Sequence, residues 1–134
     1  MARIDELNGI DPKDATRLRK AGIRTTEALL RRGATRGGRE SIAQATGLDS
    51  DQLWLWVNRA DLMRVRGIGA EYADLLEACG ITTIRELRKR NAKALSTRMV
   101  DLNEKHRSVR RLPTEPMVQA WIDDAREMEP VGRA

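Results

Sequence analysis

The chain has 134 residues, enough for one compact domain or two very small ones, and its 40% apolar and 34% charged residues are typical of a globular protein. One cysteine, Cys79, and one histidine, His106, exclude an internal disulfide, a cysteine-rich zinc site and a metalloprotease with paired histidines. The 25 basic and 20 acidic residues leave a net charge of +5, which favours an anionic partner such as nucleic acid.

Helix-forming residues dominate the chain and the alternation typical of strands is almost absent, so an all-α fold is predicted. Residues that cap helix N-termini predict helix starts at Asp11 followed by Pro12, Thr25, Ser50, Thr83 and Thr114. Glycines that close helices predict helix ends at Gly22, Gly33, Gly47 and Gly80. The chain has no run of 18 apolar residues and no apolar signal region, so we expect a cytoplasmic protein without a membrane partner.

The first half of the chain recurs in the second half at a constant offset of 58 residues. Residues 7–33 align with residues 65–91, and the matched positions are turn glycines and apolar residues at helical spacing. They include Gly9 with Gly67, Gly22 with Gly80, Ile23 with Ile81 and Leu29 with Leu87. After seven extra residues, Trp56 aligns with Trp121. We therefore divide the chain into repeats 1–61 and 62–134. The link 61–64 contains no Gly, Pro or Ser, which predicts a continuous helix and one rigid unit.

The most specific motif is the glycine turn in residues 62–76, LMRVRGIGAEYADLL. Gly67 and Gly69 permit a tight turn, and Ile68 can fill the space between the flanking helices. The amides of Gly69 and Ala70 begin a new helix, whose N-terminus can hold a phosphate oxygen. A contact of this kind holds the DNA backbone without reading the bases.

This turn resembles the helix-hairpin-helix modules of DNA repair and recombination proteins. The segments CGITTIREL and AGIRTTEAL resemble the C-terminal domain of the bacterial RNA polymerase alpha subunit. Over nearly the whole chain, ADLMRVRGIGAEYADLLEACGITTIREL and RRLPTEPMVQAWIDDA resemble a family of small bacterial tandem helix-hairpin-helix proteins, classed as a domain of unknown function. The resemblance implies two tandem helix-hairpin-helix repeats, packed as one compact pseudo-twofold domain.

Carried over residue by residue, the resemblance implies nucleic-acid contacts at the turn of the second repeat, whereas the turn of the first repeat is expected to be structural. The candidates at the turns are Arg64, Arg66, Gly67, Gly69, Ala70 and, in the first repeat, Lys13. Three residues depart from the pattern. Glu71 is an acid that would repel a phosphate, Asp11 replaces the second glycine of the turn, and Pro12 lacks an amide donor.

Basic residues are concentrated in two blocks. Residues 17–39 contain eight bases and one acid, and residues 85–111 contain ten bases and three acids, so each block carries +7 against −9 elsewhere. If pseudo-twofold packing brings both blocks to one face, they form a footprint for several phosphates; otherwise they solvate short helices. The second block adds five candidate contacts: Arg88, Lys89, Arg107, Arg110 and Arg111.

Trp56 and Trp121 occupy equivalent positions beside apolar neighbours, which predicts core packing for both. Trp54 lies about 200° from Trp56 around a helix, so we expect it to be partly exposed or to lie between the repeats. A surface for a partner or a homodimer that includes Trp54 is the alternative.

The other residues that could carry chemistry favour structural roles. Cys79 aligns with Ala21 and is expected to fill a small buried space, while His106 lies in a basic stretch and is expected on the surface or at a phosphate. The C-terminal acids are interpreted as a solvated helix face: Asp123, Asp124, Glu127 and Glu129. We therefore expect no catalytic residue, metal or cofactor, and a protein that is not an enzyme.

Two functions stay open. The first is a non-catalytic module that binds DNA, most simply duplex DNA, through its phosphate backbone with little sequence preference. The second is an adaptor or scaffold in which the hairpins are structural and the partner is an acidic protein.

Overall fold

The computed structural model describes residues 2–7, 9–107 and 109–134, and these residues form helices and no strand. The all-α prediction is confirmed. In this part of the chain a short 3-10 helix, Ile4–Glu6, precedes the α-helices α1 (Pro12–Lys20), α2 (Thr26–Gly33), α3 (Arg36–Thr46), α4 (Ser50–Leu62), α5 (Ala70–Ala78), α6 (Ile84–Arg88), α7 (Ala92–His106) and α8 (Glu115–Arg126). None of the described helices combines the length and apolar character that a membrane span requires.

Side-chain caps begin most of the helices where the sequence predicts them. The side chains of Asp11, Thr25, Thr83 and Thr114 each accept a hydrogen bond from an amide in the first turn of α1, α2, α6 and α8. The start of α4 differs from the prediction by one residue. Ser50 is the first helical residue, and Oδ1 of Asp49 accepts the bond from the amide of Asp51 at 3.1 Å. The carboxylate of Asp49 therefore takes the capping role that was expected of Ser50.

Three of the four predicted closing glycines have the left-handed conformation. Gly22, Gly47 and Gly80 have φ angles of 88°, 77° and 84°. Gly33 does not, because it is the last residue of α2. A β-carbon at Gly33 would lie only 2.8 Å from Cγ2 of the buried Val57, so glycine is required there by close packing.

The backbone repeats its local structure at the offset of 58 residues. The amide of Ile23 bonds to the carbonyl of Leu18 at 2.8 Å, and that of Ile81 bonds to the carbonyl of Leu76 at 2.9 Å. Helices α1 and α5 begin 58 residues apart, as do α2 and α6. Each repeat unit therefore contains the same reversal of the chain between two short helices.

The chain divides into two compact units. Unit 1 consists of Met1–Asp61 with Val131–Ala134, and unit 2 consists of Leu62–Pro130. The repeat alignment assigns residues 131–134 to the second half, whereas the structure places them in unit 1.

The continuous helix expected across residues 61–64 ends at Leu62, because the amide of Val65 bonds to the carbonyl of Leu62 at 3.0 Å and tightens the chain into a turn.

Each unit has its own buried apolar side chains. Those of unit 1 include Leu7, Leu18, Leu29, Ile42, Leu53 and Val57. In unit 2, α8 packs against α6 and α7, and α5 packs against α7. Trp121 and Ile122 of α8 are buried in this cluster, so the predicted core position of Trp121 is confirmed.

Two glycines of unit 1 give a matched test of the packing. We expect Gly33→Ala to lower the free energy of unfolding by about 1–2 kcal/mol, because its methyl group would meet the stiff side chain of Val57. Gly37→Ala in α3 meets nothing within 4 Å and should be neutral or stabilise by about 0.5–1 kcal/mol. Urea denaturation of both variants measures the difference. Equal effects would contradict the packing explanation.

Candidate nucleic-acid interface

The turn between α4 and α5 is held by three buried apolar side chains. Leu62, Val65 and Ile68 are each at most 3% exposed and belong to the core of unit 2. The amide of Ile68 bonds to the carbonyl of Val65 at 3.1 Å, which continues the tight turn. Ile68 therefore fills the interior of unit 2.

The two glycines of this turn have different roles. Gly67 has a φ of 92°, and a β-carbon there would lie 3.0 Å from Nε1 of Trp121, so both backbone conformation and packing require glycine. Gly69 is extended, with a φ of −91°, and no atom lies within 4 Å of its β-carbon position. Both glycines are exposed, and the space in front of Gly69 is open.

The N-cap residue of helix α5 has no side chain that could cap the helix. Gly69 is the N-cap residue and Glu71 is an acid in the first turn. The equivalent helix of unit 1 is different, because Oδ1 of Asp11 accepts a hydrogen bond from the amide of Lys13 at 2.8 Å. The N-terminus of α1 therefore carries its own carboxylate, and the cap position of α5 has none.

A second basic segment lies beside the first turn of α5. The hydroxyl of Tyr72 donates to the carbonyl of Arg111 at 2.9 Å, and the Tyr72 ring packs against Trp121 with centroids 5.2 Å apart. Because Tyr72 is the third residue of α5, this bond holds the segment of Arg110 and Arg111 near the beginning of the helix. Both arginines are exposed. We call the surface formed by Arg66, Gly67, Gly69, Arg110 and Arg111 the α5 entrance.

Two of the arginines predicted to contact nucleic acid already donate hydrogen bonds to main-chain carbonyls. Nη1 of Arg64 donates to the carbonyl of Glu129 at 3.1 Å, and Nη2 of the half-buried Arg88 donates to the carbonyl of Met128. Both carbonyls follow the end of α8, where helical donors are missing. Arg64 and Arg88 therefore hold the chain beyond α8 in unit 2.

The other residues predicted to contact nucleic acid lie at the starts or ends of several helices. Lys89 is exposed at the end of α6, and Arg107 is exposed after α7 with a left-handed φ of 49°. Lys13 is exposed in the first turn of α1, in unit 1. Ala70 is half-buried as the first residue of α5. Within unit 2, the bond between Tyr72 and Arg111 brings Arg110 and Arg111 to the helix start that follows Arg66, Gly67 and Gly69.

The first basic block is partly buried, which the sequence analysis missed. Arg39 is 4% exposed, and its Nη1 donates to the carbonyls of Gly33 and Ala34 at 2.8 and 3.2 Å. Burial, together with the nearby charge of Arg36, lowers the pKa of its guanidinium, and Glu40 opposes that shift. Helical spacing gives the signal for this burial, since Arg39 lies three residues before the buried Ile42 and shares its face of α3.

The tryptophan and cysteine predictions agree with the structure. Trp56 is buried, whereas Trp54 is half-buried. The guanidinium of Arg39 lies over the Trp54 ring, with its central carbon Cζ 4.3 Å from the ring centroid. Cys79 is buried, and this burial raises the pKa of its thiol against the opposing charges of Arg98 and Arg90. It fills core space, as predicted.

The C-terminal acids are exposed, in agreement with a solvated face: Asp123, Asp124, Glu127 and Glu129. Among the described residues no three His, Cys, Asp or Glu side chains form a group that could hold a metal ion. The side chain of His106 lies outside the described part of the chain.

A family model described as a domain of unknown function, DUF4332, matches residues 8–128. The chain belongs to this family. The match runs from before α1 to beyond α8 and so includes residues of both units. The chain has no match among the curated proteins or among the solved structures.

Arg88, the last residue of α6, and Lys89, which follows it, provide a test of the structural role of Arg88. We expect Arg88→Ala to lower the free energy of unfolding by about 1–3 kcal/mol, because the carbonyl of Met128 loses a charged donor. Lys89→Ala removes the same charge from an exposed position and should change stability by less than about 0.5 kcal/mol. Thermal and urea denaturation provide the measurement. A loss of stability in Lys89→Ala as large as that in Arg88→Ala would refute the assignment.

Proposed function

We propose that this protein is a non-catalytic module that binds DNA through the phosphate backbone, with little sequence preference, and that the α5 entrance makes the contact. The observation that carries the proposal is the bond between Tyr72 and Arg111, because it brings a basic segment to the exposed beginning of a helix. A helix N-terminus has a partial positive charge, and the added arginines make the same region attractive to an anion.

Open access to the backbone supports phosphate as the contacted group. The glycines at positions 67 and 69 are exposed, and the space at the β-carbon position of Gly69 is empty. A phosphate oxygen can approach main-chain amides closely at such a surface. Glycines also have no side chain that could reach a base edge, so contacts at these two positions would not distinguish sequences.

The two units differ in whether a phosphate can approach the N-terminus of the helix that follows the turn. In unit 1, the carboxylate of Asp11 occupies the position where a phosphate would bind, and Pro12 has no amide hydrogen. We therefore assign the contact to unit 2. Glu71 reduces the positive potential of the α5 entrance but is outnumbered by its three arginines.

Charge reversal tests this assignment. We expect Arg66→Glu to weaken DNA binding about tenfold and to reduce the slope of log affinity against log salt by about 1, since each phosphate contact on duplex DNA contributes about −0.9. Arg98→Glu is the matched control. Arg98 is exposed on α7. Its charge opposes the rise in the pKa of Cys79, which is the C-cap residue at the opposite end of α5.

Fluorescence anisotropy with a labelled duplex at several salt concentrations gives both quantities. Equal weakening by the two variants would leave only diffuse attraction and would remove the α5 entrance from the proposal. If the native chain shows no binding at low salt and micromolar protein, the DNA function fails. Co-purification of an acidic protein that survives nuclease treatment would then favour the adaptor function.

A second variant separates binding from stability. Gly69→Asp gives α5 the carboxylate cap that Asp11 gives α1, so the free energy of unfolding should stay the same or rise by a few tenths of a kcal/mol. The same carboxylate would compete with phosphate, and affinity for DNA should fall at least fivefold. Gly69→Asn, an uncharged cap, is the control and should lose less affinity. If Gly69→Asp binds DNA as tightly as the native chain, the helix N-terminus has no part in binding.

A further inference from the structure

Residues 131–133 lie in a groove of unit 1 that recognises them almost entirely through their main chain. We call this groove the Arg39–Asp61 groove. It is formed by Ala34, Arg39, Trp54, Val57 and Asp61. All of these residues and the segment itself belong to unit 1.

A buried carboxylate binds the first half of the segment. Oδ2 of Asp61 accepts hydrogen bonds from the amides of Val131 and Gly132 at 2.8 and 3.3 Å. Asp61 is 2% exposed, so this carboxylate lies inside the unit and not on its surface. Two neighbouring amides that donate to one carboxylate oxygen fix the position and the direction of the chain, which bends at Val131.

A buried guanidinium and a carbonyl bind the second half. The amide of Arg133 donates to the carbonyl of Ala34 at 2.7 Å, and the carbonyl of Arg133 accepts from Nη2 of Arg39 at 2.7 Å. Both main-chain polar groups of Arg133 are thus satisfied, while its side chain is exposed. The groove therefore does not select the side chain at this position.

The centre of the groove selects glycine. A β-carbon at Gly132 would lie 3.0 Å from Cζ3 of Trp54 and 3.1 Å from Cγ1 of Val57. The Trp54 ring is covered on one face by Arg39, and Val57 is fully buried, so neither can easily move away. Any larger residue at the central position would push the segment out of the groove.

The groove also extends beyond the part that is filled. An open cleft of about 220 Å³ adjoins it and is lined by residues of α3, of α4 and of the segment's end: Arg36, Arg39, Glu40, Ser50, Asp51, Trp54 and Ala134. Arg39 and Trp54 belong both to the groove and to this cleft. A longer chain therefore has space to continue along the same surface.

We propose that the Arg39–Asp61 groove is a peptide-binding site, specific for a main chain with glycine at its centre, which residues 131–133 occupy and can leave by local opening. The segment is short, lies outside the helices and is held by a few hydrogen bonds, so it can detach without unfolding of the helices. While attached it excludes other peptides, because an intramolecular ligand has a high effective concentration.

Hydrogen exchange of the native full chain tests the opening step. The amides of Val131, Gly132 and Arg133 should exchange at least tenfold faster than the core amides of Ile23 and Leu29, with rates that do not depend on low concentrations of urea. The core amides are the internal control, since they are exposed by global unfolding. If the segment exchanges only together with the core, it is a fixed part of the fold and the proposal is overturned.

Binding in trans tests the site itself. In the full-length variant Gly132→Val the segment should leave the groove, and an amidated peptide with the sequence of residues 129–134, EPVGRA, should then bind with a saturable change in tryptophan fluorescence. The same peptide with valine in place of glycine is the matched control and should bind at least tenfold more weakly. The native chain should also bind EPVGRA at least tenfold more weakly, because its groove is filled.

Each of three results would contradict the peptide site. They are a folded Gly132→Val variant that does not bind EPVGRA at millimolar concentration, equal binding of the glycine and valine peptides, and a variant that circular dichroism shows to be unfolded. The last result would mean that the segment is needed for folding and is not an exchangeable ligand.

Discussion

The left-handed turns at Gly22 and Gly80 are the constraint on which both units depend. Each reverses the chain between two helices of five to nine residues, which are too short to be stable in isolation. The bonds from Ile23 to Leu18 and from Ile81 to Leu76 close the turns and direct two fully buried isoleucines into the interior. A residue with a β-carbon is strained at these φ angles, so the burial that stabilises the short helices requires glycine.

Arginine supplies much of what these short helices lack at their ends. The last carbonyls of a helix have no intrahelical donor, and a chain with many short helices has many such carbonyls. Guanidinium groups satisfy carbonyls at the ends of α1 and α2 and in the chain that follows α8. Arg32 donates to Ala21, Arg39 to Gly33 and Ala34, Arg64 to Glu129, and Arg88 to Met128. Part of the basic charge therefore stabilises the fold, and the charge available to an anionic partner is smaller than the composition suggests.

The same backbone repeat supports different chemistry in the two units. The carboxylate of Asp11 caps α1, whereas Gly69 leaves the start of α5 without a side-chain cap and beside Arg110 and Arg111. Unit 1 has instead a groove built from Arg39 and Asp61, which holds residues 131–133. Local turn geometry thus defines the scaffold, while the residues at its exposed positions differ between the two units.

The sequence by itself determined the helical class, the caps at Thr25 and Thr83 and the turns at Gly22 and Gly80, because these features depend on interactions between residues at most five positions apart. Only the tertiary structure decided the contact of Gly33 with Val57, the burial of Arg39, the bond from Tyr72 to Arg111 and the return of residues 131–134 to unit 1. The hydrogen bonds from Tyr72 to Arg111 and from Arg39 to Arg133 join residues 39 and 94 positions apart. Their formation depends on where the chain returns after several helices, and no local pattern of residue types specifies that path.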